Sequence, residues 1–335
     1  MRKKHILIIM LLLPGLTSTV MLPAQSDGAG KTKAQGQKER AGSVDLSEPQ
    51  IFAEGIICTG DYESHAAFSP SGDTLYFIKS APDFSTWTIC VSYRRNGQWS
   101  MPAVAHFSGK YKDADPFFTK DGRTLYFISD RPLTGNGPAK GDMDIWRIDR
   151  TATGWSEPIH LDAPVNSDKD EYYPTMADNG TLYFGSERLG GLGGCDIYRC
   201  KPENGAYILA ENLGAAVNTD GDEYEPFIAP DERYMIFMAA RPSNTKGDLF
   251  VSYNRNGQWT TAEKLPYPFS SDRSEYAPKV TRDGRYFFFS STRNRLKGRL
   301  ENKESIIELN KRVRGAGNGL GDIYQVNFSS LNLKL

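Results

Sequence analysis

Apolar residues in this chain fall in short aromatic runs rather than at helical spacing. Five of these runs look alike: Leu75-Tyr76-Phe77-Ile78, Leu125-Tyr126-Phe127-Ile128, Leu182-Tyr183-Phe184, Met235-Ile236-Phe237-Met238 and Phe287-Phe288-Phe289. Continuous runs of this length predict strands buried on both faces. Each is preceded by a tight turn and, before that, by a shorter apolar segment. Aligned on the turn, the copies centre on Gly72, Gly122, Gly180, Glu232 and Gly284, at spacings of 50, 58, 52 and 52 residues. Repeats of this length with several strands each cannot bury their faces alone, and they predict a β-propeller.

Four strands are expected per copy. Strand a ends at Phe68, Phe118, Met176, Ile228 and Val280, and a turn such as Lys120-Asp121-Gly122 joins it to strand b, the aromatic run. Strand c is Ile89-Cys90-Val91, Ile145-Trp146-Arg147, Ile197-Tyr198-Arg199, Leu249-Phe250-Val251 and Ile323-Tyr324-Gln325, with Asp before four of the five. Strand d starts at Trp99, Trp155, Tyr207 and Trp259, after turns that include Asn96-Gly97 and Asn256-Gly257. The fifth copy has no strand d. Ser47-Glu48-Pro49-Gln50-Ile51-Phe52 resembles Ser156-Glu157-Pro158-Ile159-His160-Leu161 of the second, so the N-terminal strand is expected to complete the last blade and close the ring. The expectation is an all-β, five-bladed propeller of four-stranded antiparallel blades over residues 47–335, with one helical insertion in the last blade.

The motif Phe68-Ser69-Pro70-Ser71-Gly72-Asp73-Thr74-Leu75-Tyr76-Phe77, with Val217-Asn218-Thr219 before Glu223 and the Gly-rich stretch 190–194 leading into Cys195-Asp196-Ile197-Tyr198, resembles the TolB-like family of WD-like propeller repeats of bacterial envelope proteins. The resemblance spans roughly residues 47–328. It implies a non-enzymatic propeller that binds an envelope protein partner, with possible glycan or peptidoglycan association.

Composition narrows the classes. A net charge of −1 gives no basic footprint for nucleic acid. Arg2, Lys3 and Lys4 before an apolar stretch over 6–13, with a cleavage site after Ala24, read as a signal peptide over 1–24 without a lipobox cysteine. No transmembrane segment is expected after cleavage, and the protein is placed in the periplasm or secreted. Residues 25–46, rich in Gly, Lys and Gln, read as a disordered tether. Of the four cysteines, Cys195 and Cys200 flank one strand and cannot pair with each other. Cys58 and Cys90 are either buried thiols or a bridge between blades.

Candidate chemistry begins with a ring of acids: Glu63, Asp113, Glu171, Glu223 and Glu275 each stand nine residues before the turn position. They could build a cation or cationic-ligand site. They could equally pair across the a–b hairpin with Arg131, Arg188, Arg241 and Arg293, which leaves Glu63 without an arginine. A feature repeated in every blade suits a structural role better. Gly-rich loops at 190–194, 135–141 and 315–321 lack the Lys or helix start of a phosphate cradle and are read as b–c connections needing positive φ. His65, His106 and His160 lie in different copies, with no nucleophile elbow or metal spacing beside them; no cofactor and no metal are expected. His65, at the start of the first inner strand, is read as a satisfied or exposed histidine, with a place looking into the channel as the second reading. A glycoside hydrolase should break the repeat symmetry by giving its acid and nucleophile different environments. The acid ring does not, so a glycan-active propeller is the second reading.

The symmetry is broken by the b–c connection of the last copy, where helical spacing over 300–313 carries Leu300, Ile306, Leu309 and Val313 beside Lys311 and Arg312. It is expected either to lie over the propeller as a lid or to dock a partner. The binding face is accordingly expected where the d–a and b–c loops emerge, with Glu63, His65, Asp113, Glu171, Arg188, Glu223, Arg241, Glu275, Arg293, Leu300, Ile306, Lys311 and Arg312.

Overall fold

The computed structural model describes residues 45–241, 244–296, 300 and 302–335. The signal expected over 1–24 lies outside the described residues, as does all but the end of the expected tether and part of the last b–c insertion. The chain forms five antiparallel sheets in a ring, each a blade with strand a innermost. The inner strands are Tyr62–Phe68, Asp113–Phe118, Glu171–Met176, Asp222–Ile228 and Glu275–Val280. In blade 3 the outer strand is one piece, Ala206–Asn212. In blades 1, 2 and 4 it is split into two short segments that both pair with strand c, such as Gln98–Trp99 and Ala103–Val104.

Ring closure follows the sequence expectation. Gln50–Ile51 pairs antiparallel with strand c of blade 5, Gln50 opposite Gln325 and Ile51 opposite Tyr324. Phe52 then packs edge-on against Phe288 of blade 5 (5.2 Å), Phe68 of blade 1 (5.7 Å) and Trp99 (5.8 Å). Edge-to-face pairs of this kind add roughly 0.5–1.5 kcal/mol each to the area they bury, so one phenylalanine ties the first strand to both neighbouring blades. The strand-b runs fill the spaces between blades: Leu75, Phe77, Leu125, Phe127, Leu182, Phe184, Ile236, Phe237, Phe287 and Phe289 are all buried. All four cysteines are buried free thiols, and no bridge joins Cys58 to Cys90.

Glycine serves a different purpose in the 190–194 loop than the sequence suggested. Only Gly190 of this stretch has positive φ, at 92°. A Cβ on Gly193 would lie 1.8 Å from the carbonyl oxygen of Gly221, so close backbone approach between neighbouring loops excludes a side chain there. The b–c insertion of blade 5 contains α1, Ile306–Val313, shorter than the 300–313 span expected. Ser305 and Glu308 form a capping box at its start, and no residue of the helix is buried. Ile306 and Ile307 are 68% and 76% exposed, so α1 is not a lid packed on the propeller.

Candidate functional site in the central channel

The acid ring is structural. Glu63, Asp113, Glu171, Glu223 and Glu275 are completely buried. Four of them accept from a backbone N–H and a hydroxyl four residues earlier: Thr59, Ser167, Thr219 and Ser271 donate to Glu63, Glu171, Glu223 and Glu275 at 2.5–3.0 Å. Each carboxylate thereby holds its own d–a loop against the inner strand. Arginine completes the motif from strand b or just past it: Arg131–Asp113 at 2.5 Å, Arg188–Glu171 at 3.1 Å, Arg241–Glu223 at 3.5 Å and Arg293–Glu275 at 3.2 Å. The guanidinium groups lie over ring faces of the same blade, Arg241 4.1 Å from Phe250 and Arg188 4.9 Å from Tyr198. Glu63, expected to lack a partner, is paired with Lys79 at 3.0 Å, the residue directly opposite it on strand b. Burial raises Asp113, Glu171 and Glu223 above the ordinary carboxylate range despite these partners.

Two residues further along each inner strand lies a second ring with different chemistry in every blade. The a–b register slips between Ser64 and Ala67, and likewise in the other four blades, leaving a bulge. At each bulge a non-glycine residue has positive φ: His65 (58°), Asp115 (55°), Tyr173 (48°), Glu225 (57°) and Ala277 (50°). Bulges re-aim side chains, and five left-handed non-glycine residues store strain that the surrounding ring must hold. Here they bring residues of all five blades together. His65 Nε2 lies 2.9 Å from Glu225 Oε1 and 3.3 Å from Asp115 Oδ1, while its Nδ1 is 2.7 Å from Ser64 Oγ. The N–H of Tyr173 donates to Asp115 Oδ2 (2.9 Å) and that of Ala277 to Glu225 Oε2 (2.5 Å).

Lys279 follows two residues after Ala277. It is 6% exposed, and its Nζ has no hydrogen-bond partner among the described residues. It stands over the rings of Tyr173 (4.4 Å), Phe117 (5.0 Å) and Phe227 (6.0 Å). Burial lowers its ammonium to about 7, although Asp115 and Glu225 pull the other way. Burial likewise lifts Asp115 to about 6 against the opposing charges of His65 and Lys279. Burial by itself would lower His65, but Glu225 and Asp115 outweigh it and raise the imidazole above its ordinary value.

Access differs between the two ends. On the d–a and b–c side, Tyr62, Tyr173 and Tyr276 pack together with Tyr172, Met238 and Leu320. Gly321 fits beneath Tyr62 and Tyr276 only because it has no Cβ, which would come within 2.5 Å of both. On the side of the a–b turns a cavity of about 540 Å³ opens, walled by Phe117, Phe118, Met176 and Phe227, with Lys279 lining it where the channel begins. Arg282 reaches across its rim from blade 5 to blade 3, bonding both carboxylate oxygens of Asp178 at 2.7 Å.

Of the residues expected at the site, only His65 belongs to the channel cluster. Glu63, Asp113, Glu171, Arg188, Glu223, Arg241, Glu275 and Arg293 brace the blades, and Leu300, Ile306, Lys311 and Arg312 lie on the exposed insertion. Arg312 is paired with Glu304. Among the described residues no group of acids, histidines and cysteines has the arrangement of a metal site, and no helix is long and apolar enough to cross a membrane.

No family model and no curated relative matches the sequence. Among solved structures, a glycoside hydrolase is similar at 13% identity and a TM-score of 0.50, over 83% of this chain and 92% of that one. A puromycin-hydrolysing peptidase of Mycobacterium tuberculosis is similar at 14% identity and a TM-score of 0.39, over 72% of this chain and 36% of its own length, so the chain spans about a third of that enzyme. The periplasmic gluconolactonase of Pseudomonas aeruginosa is similar at 12% identity and a TM-score of 0.39, over 69% of this chain and 66% of that one. The class defined is the β-propeller. The non-enzymatic interaction platform expected from the sequence is corrected in favour of the second reading, a glycan-active propeller: the structure similar at a TM-score of 0.50 is named as a glycoside hydrolase, a likeness that by itself shows the fold alone. The expected binding face is closed by tyrosines, and the asymmetric polar groups lie in the channel behind the opposite face.

Proposed function

We propose that the protein is a glycan-active hydrolase whose reacting carboxylates are Asp115 and Glu225, reached through the cavity on the a–b turn side. The observation carrying this reading is the broken symmetry of the channel ring. Acids that recur in every blade serve the blade, whereas Asp115 and Glu225 occupy a position filled elsewhere by His65, Tyr173 and Ala277. Both approach the same nitrogen of His65, so their nearest oxygens lie within about 6 Å of each other. That suits the closely set pair of a retaining glycosidase, roughly 5–5.5 Å, better than the wider separation of an inverting one.

In this reading Asp115, raised to about 6, is the general acid: it gives its proton to the leaving oxygen as the glycosidic bond breaks. Glu225 meets the sugar carbon from the other side. Water then displaces the Glu225 oxygen and returns its proton to Asp115, so the cycle closes. His65 is a positioning residue that holds both carboxylates until a substrate replaces it between them. Export to the periplasm or beyond is part of the proposal, resting on the basic and apolar pattern of residues 1–24. The likeness to TolB-like propellers is proposed for the repeat alone. The test is reducing-sugar release from a panel of polysaccharides, comparing the wild type with Asp115→Asn and Glu225→Gln. Loss of about 100-fold or more in kcat with an unchanged melting temperature is expected; unchanged rates would refute the assignment.

A further inference from the structure

Lys279 is difficult to account for as a packing residue. Strand a of the other blades carries Ala67, Phe117, Thr175 and Phe227 at the equivalent position, so the fold does not require a lysine there. Its ammonium has three hydrogens to donate. Ring faces attract the charge but accept little from the hydrogens. The groups that could accept are committed elsewhere. Asp115 takes the N–H of Tyr173 and faces His65, Glu225 takes the N–H of Ala277 and faces His65, and the Tyr173 hydroxyl donates to the carbonyl of Pro278 (2.7 Å). Thus blades 1 to 4 present His65, Asp115, Tyr173 and Glu225 to this lysine without bonding it. The side left over is the cavity of about 540 Å³ that Lys279 lines, a volume within the range of small-molecule sites. Its rim is balanced in charge, with Lys120, Arg233 and Arg282 beside Asp121, Asp178, Asp231 and Asp283, and Arg282 and Arg233 are already paired with Asp178 and Asp231, which leaves Lys279 as the cation without a hydrogen-bond partner inside, among the described residues.

We infer that Lys279 is a carboxylate-binding residue and that the sugar entering this cavity is a uronic acid. The inference rests on the glycan-active reading for the sugar, and on Lys279 itself for the acid. A carboxylate of the ligand would supply the charge-assisted hydrogen bonds that the protein withholds, between aromatic walls suited to a sugar face. It would bind the protonated lysine. With the free ammonium titrating at about 7, the charged fraction falls from about nine-tenths at pH 6 to about one-tenth at pH 8, and affinity should fall about tenfold with it.

The experiment is calorimetric titration of the wild type and Lys279→Met with the methyl glycoside of glucuronic acid, the methyl glycoside of glucose, and acetate, at pH 6 and pH 8. At pH 6 the glucuronide should bind at least tenfold more tightly than either control with little proton uptake, whereas at pH 8 its binding should take up close to one proton. That advantage should shrink about tenfold at pH 8 and vanish in Lys279→Met. Equal binding of the glucuronide and the glucoside, no binding of the glucuronide, or discrimination that survives in Lys279→Met would overturn the inference. Acetate matching the glucuronide would overturn its sugar part. The two readings fail separately: a chain that discriminates the glucuronide but releases no sugar keeps the binding site and loses the hydrolase. One that cleaves neutral glycans without favouring acidic ones does the reverse.

Discussion

Replacing Lys279 with methionine should make the protein more stable, and by an amount that depends on pH. Methionine fills much of the same volume and needs no hydrogen-bond partner. Burial holds the folded lysine at about 7, against 10.5 ordinarily; at roughly 1.4 kcal/mol per pH unit, carrying it in the channel costs about 4 kcal/mol at pH 7. Any attraction of the ammonium to the three rings is already contained in the folded value, so the expected gain for Lys279→Met is about 4 kcal/mol at pH 7. Between pH 7 and 10.5 the unfolded chain keeps a proton on this lysine that the folded chain has lost. The wild type therefore recovers stability as pH rises through that window, and the advantage of the variant should fall below about 1 kcal/mol by pH 10. Urea denaturation of both proteins at pH 7 and pH 10 reads the difference, together with the smaller change in Asp115 and His65, the two groups that feel the charge of Lys279. A variant less stable than the wild type at pH 7, or an advantage that does not shrink with pH, would refute the reasoning.

Three further outcomes follow from the same geometry. Glu171→Ala removes the acceptor of Ser167, Ser186 and Arg188 and leaves that arginine without its buried counter-charge; a loss of about 3 kcal/mol in urea denaturation is expected. The rate constant for sugar release should decline as pH rises through about 6, since Asp115 must hold its proton to act as an acid; a pH–rate profile flat from 5 to 8 would contradict its role. Ile306→Ser with Ile307→Ser should change stability by less than about 0.5 kcal/mol, because both side chains are already in water; a marked drop in melting temperature would mean that α1 is packed after all.

The blades were legible because they repeat. Aromatic runs at a period near fifty, Asn-Gly turns and a displaced copy of strand d are local signals, and they correctly place the inner strands and the closing pair of Gln50 and Ile51. The pairing of Asp113, Glu171, Glu223 and Glu275 with arginines was readable for the same reason. The channel was not, because its chemistry sits where the repeat does not recur. Aligning copies draws attention to what they share, and His65, Asp115, Tyr173, Glu225 and Ala277 share only their offset from the acid. The bulge that turns them inward leaves no mark but Pro at the next position in four copies. Lys279 reads as an ordinary strand residue between Pro278 and Val280, and only side-chain packing reveals it as buried and unbonded. The direction of access was misjudged because loop topology says nothing of Tyr62 and Tyr276 closing over Gly321.

The central claim is that the asymmetric channel ring, and not the symmetric acid ring, carries the chemistry. It is tested most directly by measuring sugar release from acidic polysaccharides by Asp115→Asn and by Glu171→Gln side by side, each corrected for its folded fraction. The account predicts that Asp115→Asn folds normally and loses about 100-fold or more of the rate, while the folded fraction of Glu171→Gln keeps it. Full activity in Asp115→Asn, or its loss only in folded Glu171→Gln, would contradict the account.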